Sequence, residues 1–404
     1  MTSRTALLLG IGGLIAAPAA YAQDGAPVEQ GEPNVPHFQP AFPGQTRAPA
    51  SDSGVTLATE TVAEGLEHPW GIAVLPDGAI LVTERPGRLR RVSPEGELSE
   101  PIAGVPEVHA VEQGGLLDVA IGPDYEEEGW IYLSYAKPLG DGMSVTAASR
   151  GRLSEDGTEL VDVEEIFEQE PPSPTPMHYG SRIVFDDDGH VFITTGEHSD
   201  AAERDNAQDL GTTYGKVIRL NLDGSVPEDN PFVDEEGAID SIWSYGHRNI
   251  QAAAMDAEGR LWEIEHGPQG GDELNLVEPG NNYGWPIVVY GQEYSGEPVG
   301  EGRATHEPDF VEPRYYWDPV IAPSGMVFYD GEMFPDWQGN ILVGSLNPGA
   351  LVRLELEDDT VTGEERLLTD VGRIRDVAVD AEGAILVITD DPNGALLRLT
   401  PEEG

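Results

Sequence analysis

One short unit recurs six times between residues 75 and 399. A turn of the Asp-Gly type leads into a short apolar run, then a polar glycine-bearing turn and often a second apolar run. The copies are 75-LPDGAILVTERPGRLRRV-92, 123-PDYEEEGWIYLSYA-136, 186-DDDGHVFITTGE-197, 256-DAEGRLWEIEHG-267, 335-PDWQGNILVGSLNPGALVRL-354 and 380-DAEGAILVITDDPNGALLRL-399. Runs of Val, Ile and Leu bounded by Gly, Asp and Pro are strand and hairpin signals. Six imperfect copies with uneven spacing predict an all-β fold, a six-bladed β-propeller whose long inserts are loops on one face. A β-sandwich would use similar strands but needs no sixfold repetition of one unit. A propeller also gathers one end of its inner strands around a central channel, so polar residues from distant repeats converge there.

The opening MTSRTALLLGIGGLIAAPAAYAQ has Arg4, an apolar stretch from Ala6 to Ala17 and a small-x-small ending at Ala20-Tyr21-Ala22. Residues 1–22 are therefore expected to be a secretory signal, giving a periplasmic or secreted protein; an uncleaved anchor is the alternative. Residues 23–54, rich in Pro, Gly and Ala without periodicity, read as a disordered linker, and 55–404 as the propeller. No other segment is apolar enough to span a bilayer. Cysteine is absent, so an exported chain must be stabilised by its core or by bound ions. The formal net charge is −52, with lysine only at 137 and 216. Such a surface repels nucleic acid and anionic membranes and matches the acidic, lysine-poor type suited to high salt.

Against this background, two polar segments beside apolar runs stand out, 244-SYGHRNIQ-251 and 265-EHGPQGGDELN-275. Others are 112-EQGGLLDVAIGPD-124, 176-PMHYGSRIVFDDDG-189, 317-WDPVIAPSG-325, 344-GSLNPGALVRL-354 and 371-VGRIRDVAVD-380. Singly, each has a bland reading. His178 suits a satisfied loop histidine as well as a base. Arg373 and Arg375 alternate on a strand and so share one face, which fits a salt-bridged surface or an anion site. The Asp-Glu-Asn part of 272–275 is either a solvated turn or a set of oxygen ligands for a hard cation.

Taken in order, QGGLLDV, a His before a GxR-V-F strand, GHRN, HGPxGGDE-N with NNYGWP, W-P-APSG and RIRDV resemble the soluble pyrroloquinoline quinone (PQQ)-dependent aldose sugar dehydrogenases, the glucose/sorbosone dehydrogenase family. The resemblance runs from about Gly65 to Leu399. It implies a six-bladed propeller and oxidation of an aldose at its anomeric carbon to the lactone, with PQQ and Ca²⁺ as cofactors. His178 would be the general base, and Arg248 would steady charge developing on the quinone. Gln113 and Asn249 would contact the cofactor or its reacting edge, and Arg373 and Arg375 would bind its carboxylates. Gly267 and Pro268 would hold the cofactor's calcium through their carbonyls, Glu273 and Tyr283 a structural calcium, and Trp317 would lie near the sugar, beside His178 and Gln113.

Two positions depart from the pattern. Asn347 stands where relatives commonly carry a cofactor-binding lysine, which keeps a hydrogen bond but drops a charge. Met177 replaces an acidic residue of the glucose-oxidising branch, so glucose specificity is not implied. Two alternatives are carried: a calcium-dependent lactonase-type hydrolase, which needs several carboxylates around a central ion, and a non-catalytic propeller binding a glycan or protein. Without cysteine there is no haem-attachment motif, so electrons would pass to a separate acceptor. The expected partners are the sugar and that acceptor, with the chain a monomer or homodimer.

Overall fold

At the turn of each repeat one glycine takes a backbone conformation that side chains disfavour: φ is 82° at Gly78, 72° at Gly129, 87° at Gly189, 73° at Gly259, 79° at Gly339 and 84° at Gly383. Each turn joins the first and second strands of one sheet. The computed structural model describes residues 25–300 and 308–402, and the expected signal at 1–22 lies outside them.

The strands form six antiparallel sheets, five of four strands and one of three. Their inner strands are Pro69–Val74, Leu116–Ile121, Ile183–Phe185, Ile250–Met255, Pro323–Phe328 and Ile374–Val379. Each inner strand packs beside the next and the last beside the first, closing a ring. The molecule is thus a six-bladed β-propeller, as the repeats predict. The first blade has three strands, and its outer place is taken by a segment bridged at Leu98 and Ile102. The sixth blade is completed from the other end of the chain, because Leu57–Leu66 pairs antiparallel with Gly394–Pro401.

Both faces of each sheet are covered, so the core is divided among the blade interfaces. Trp262, Trp317, Met326 and Val343 fill the junction of blades four and five, and Leu81, Val119, Leu133 and Tyr135 that of blades one and two. This explains the continuous apolar runs: Ile80–Glu84 and Ile341–Ser345 are buried at every residue.

The expected disordered linker is a point of difference. From Gly25 onward it is seated on blades four and five. The main-chain N–H groups of Asn34 and Val35 donate to the Asp318 carboxylate at 2.8 and 2.9 Å, and Arg47 Nη2 donates to Asp318 O at 2.7 Å. Thr46 bridges to Tyr316 and Ala50 to Glu364, while Val35, Gln45 and Ala48 are buried. Proline-rich backbone without periodicity here lies along the outer strands of two blades, covering edges that would otherwise be open. Among the described residues no helix is long and apolar enough to cross a membrane.

Candidate active site

Strand pairing places Gly71, Asp118, Arg182, Ala252, Gly325 and Asp376 at equivalent points of the six inner strands. Arg182 reaches across the channel from the third blade. It donates to Asp118 at 2.8 Å and Asp376 at 3.2 Å, lies 4.6 Å from the Trp70 ring centroid, and also donates to Gln251 O. The small residues of the ring make room: a Cβ on Gly325 would stand 1.7 Å from Asp376 Oδ1. Buried charges persist only when paired and hydrogen-bonded, and Ile183 N and Ile72 N supply further donors to the two carboxylates.

Above this ring lies a cavity of about 230 Å³. Trp70, Leu117, Gln251 and Arg375, each one residue before a ring member, contribute to it, and Gln113, Asn249 and Arg373 line it as well. A wider depression of about 890 Å³ lies at the opposite ends of blades four and five, lined by Asp256, Arg260, Asp359 and their neighbours. None of the expected site residues lines it, whereas Gln113, Asn249, Arg373 and Arg375 line the smaller cavity.

Arg373 and Arg375 do share a face. Both donate to Asp390 Oδ2, at 2.6 and 2.8 Å, and Arg373 Nη1 donates to Leu346 O at 3.1 Å. The Asp390 carboxyl is held below its ordinary range, because the two arginines outweigh its burial. Arg85 also lines the cavity, so three arginines and one aspartate contribute to its lining. The buried Nε of Arg375 has no hydrogen-bond partner, which marks an unsatisfied donor beside the cavity.

His178 is buried with φ 49°, beside the lining residues Tyr179 and Gly180. Its main-chain N–H donates to Gln113 Oε1 at 2.9 Å, and its Nδ1 stands 2.8 Å from Glu197 Oε2. Burial opposes charge on Glu197, but the His178 ring, their hydrogen bond and Arg248 outweigh it and hold the carboxyl down to about 2. An ionised carboxylate only accepts, so Nδ1 carries the proton and Nε2 is left with the lone pair. Burial also lowers the pKa of His178, with Glu197 opposing and Arg248 adding to the effect.

Arg248 is adjacent to Asn249 but faces a second space. It donates to His266 O at 2.8 Å, lies 5.1 Å from the Trp285 ring centroid, and keeps a buried Nε without a partner. With it, Gly267, Pro268, Glu273 and Tyr283 line a cavity of about 10 Å³, so the four expected calcium residues are brought together. Glu273 is pushed well up by burial and by the charges of Glu265, Glu263 and Glu312. The Tyr283 hydroxyl is committed, donating to Leu276 O at 2.7 Å and accepting from Glu278 N at 2.9 Å.

Two expectations are not met by the geometry. Trp317 is buried at the junction of blades four and five, where its indole donates to Glu364 Oε2 at 3.2 Å; it is a core residue and does not line the cavity. Asn347 is exposed, and it is Leu346 beside it that lines the cavity; Asn347 N donates to Ile321 O at 3.2 Å.

The glucose/sorbosone dehydrogenase family model matches residues 66–398. The aldose sugar dehydrogenase YliI of Escherichia coli K12 is 42% identical over 349 residues, which cover 86% of this chain and 93% of that protein. The chain belongs to the glucose/sorbosone dehydrogenase family. It is by that membership a sugar oxidoreductase. Among solved structures, the apo soluble aldose sugar dehydrogenase from E. coli superposes with a TM-score of 0.83 at 42% identity, covering 86% of this chain and all of that one. The PQQ-bound aldose sugar dehydrogenase from Streptomyces coelicolor gives a TM-score of 0.69 at 29% identity, covering 85% and 99%.

Within this glucose/sorbosone dehydrogenase, sequence reasoning missed Glu197, Arg85 and Asp390. A signal for two of them lies in the repeat itself. Counting seven residues on from the turn glycines Gly78, Gly259, Gly339 and Gly383 reaches Arg85, His266, Leu346 and Asp390, all of which line the cavity.

Proposed function

We propose that this chain is a PQQ-dependent aldose dehydrogenase that oxidises the anomeric carbon of an aldose to the lactone. The observation that carries the reading is the pairing of a buried histidine, its Nδ1 fixed by Glu197, with a guanidinium-lined cavity one residue away. Arg85, Arg373 and Arg375 suit an organic polycarboxylate, since guanidinium pairs with carboxylate in a bidentate fork. A lactonase-type site needs several carboxylates around one ion, whereas the only carboxylate lining this cavity among the described residues is Asp390, already paired with two arginines.

Bound there, the quinone supplies the acceptor for the hydride leaving the sugar. The chain's own part is proton handling and placement. His178 Nε2 takes the proton of the anomeric hydroxyl, and Glu197 holds the tautomer and stabilises the imidazolium that forms. Asn249, whose Oδ1 accepts from Gly180 N at 3.1 Å, and Gln113 present amides at the reacting edge. The small cavity, where Gly267 and Pro268 meet the buried acids Glu265 and Glu273, suits hard cations, because Glu263 and Glu265 add to the negative charge around Glu273. The cofactor's Ca²⁺ would be held by the Gly267 and Pro268 carbonyls and a structural Ca²⁺ by Glu273 and Tyr283, and these ions would balance that charge. Export through residues 1–22 and delivery of electrons to a separate acceptor belong to the same reading.

Substitution separates the roles. His178→Ala is expected to lower kcat by about 10²-fold or more while leaving quinone affinity nearly intact. The Arg373→Ala, Arg375→Ala double change is expected to weaken quinone binding instead. An unchanged rate in His178→Ala would remove the base from the mechanism.

A further inference from the structure

Beside the small cavity, which Glu265 also lines, is a cluster to which the proposed reaction gives no ligand or proton-transfer role. His247, Glu263 and Glu265 are buried, and one ligand atom from each lies within 4.8 Å of the others. His247 Nδ1 stands 3.4 Å from Glu263 Oε1 and 3.7 Å from Glu265 Oε1, and makes no hydrogen bond. Glu263 Oε2 and Asn275 Oδ1, also buried, have no partner.

The two His247 distances are set against two readings. A direct imidazolium–carboxylate pair closes to about 2.8 Å, because the charge-assisted bond is short. A tetrahedral ion with arms of about 2.0–2.2 Å instead holds its ligand atoms about 3.4 Å apart. The outer contacts are those of a ligand set. His247 Nε2 lies 2.8 Å from Ser244 Oγ, and its ring stacks on Tyr283 at 4.6 Å, which fixes the plane. When Nε2–H donates to the serine, the Nδ1 lone pair points at the carboxylates. Asn275 Nδ2 orients Glu263 Oε1 at 2.8 Å, and Arg248 N donates to Glu265 Oε2. One neutral imidazole, two carboxylates and a dication sum to zero charge, which removes the cost of burying like charges.

We propose that His247 Nδ1, Glu263 and Glu265 bind a small transition-metal dication of the Zn²⁺ class, through a ligand set that shares no residue with the calcium ions expected at Gly267 and Pro268 and at Glu273 and Tyr283. The nitrogen donor selects against calcium, which takes oxygen ligands. The ion would pin the GHRN segment, which carries Arg248 and Asn249, to the second strand of the fourth blade.

The probe is Co²⁺ alone, added to the chelator-stripped full chain at about 2 M NaCl, where exposed carboxylates are screened. One equivalent is expected to give the intense visible absorption of tetrahedral Co²⁺, displaced by Zn²⁺ and not by excess Ca²⁺. Glu263→Gln, with its fold checked by circular dichroism, is expected to weaken binding at least about tenfold. Should that variant not fold, anomalous scattering at the zinc edge from crystals of the unaltered chain is expected to peak between His247 and Glu263. No visible band, displacement by Ca²⁺, or a zinc peak elsewhere would overturn the proposal. The readout involves neither quinone nor sugar, so it stands or falls apart from the proposed reaction.

Discussion

In the proposed mechanism His178 is the base and Glu197 its support, and their pKa directions fix a pH dependence. Burial lowers the His178 pKa below the ordinary 6.5, and Glu197 limits that drop. The neutral base is therefore present at and above pH 6.5, and the acid limb of kcat/KM should lie below it. Glu197→Gln removes the opposing charge, so the limb should move further toward acid while kcat falls by about 10²-fold through loss of tautomer control. A pH profile of both proteins checks this; a limb moving toward neutrality would contradict it. His198, whose pKa burial lowers to about 4 against the opposing charge of Glu197, adds a stability effect. The unfolded histidine binds its proton at higher pH than the folded one, so stability falls as pH drops from 6.5 to 4, on the order of 3 kcal/mol in total. Denaturant unfolding of His198→Gln across that window should show a flatter slope. The motif singled out His178, which lies beside the cavity, but nothing in it pointed to Glu197, which the fold brings back onto the imidazole from 19 residues along the chain.

At the scale of elements, the inner strands are tied by Arg182 to Asp118 and Asp376, from three different blades. Burial pushes the Asp118 carboxyl up to about 6, with Arg182 lowering it and Asp376 raising it. Arg182→Met leaves two buried carboxylates unpaired and should cost about 3–5 kcal/mol. Denaturant titration reads this directly; an unshifted midpoint would show the ring to be energetically idle. The blades themselves were legible because hairpin chemistry is local, as in 380-DAEG-383. Residues 25–54 were not, since their order comes from Asp318 and Glu364, more than two hundred positions away. Trp317 misled for the same reason: its partner Glu364 is on the next blade, and a tryptophan in a motif looks alike whether it faces a ligand or the core.

For the whole molecule, the charge of −52 sets the conditions in which the fold is stable. Repulsion among exposed carboxylates acts over the Debye length, about 10 Å at 0.1 M salt and about 3 Å at 1 M. The midpoint of thermal unfolding should rise as NaCl increases from about 0.1 to 2 M; a flat or falling midpoint would remove charge repulsion as a controlling term. Ring closure by Leu57–Leu66 also belongs to this scale and left no trace in the repeat pattern, because its partner strand, Gly394–Pro401, is distant in sequence. In the proposed reading the same negative surface makes the cavity's three arginines decisive, as an anionic cofactor would have to be drawn to a local cationic nest. The most direct measurement is an absorbance titration of the chelator-stripped chain with PQQ and Ca²⁺ at high salt, followed by dye reduction with a panel of aldoses. Saturable binding and turnover that requires both additions is the expected result; quinone absorbance unperturbed at micromolar protein, with no aldose oxidised, would contradict it.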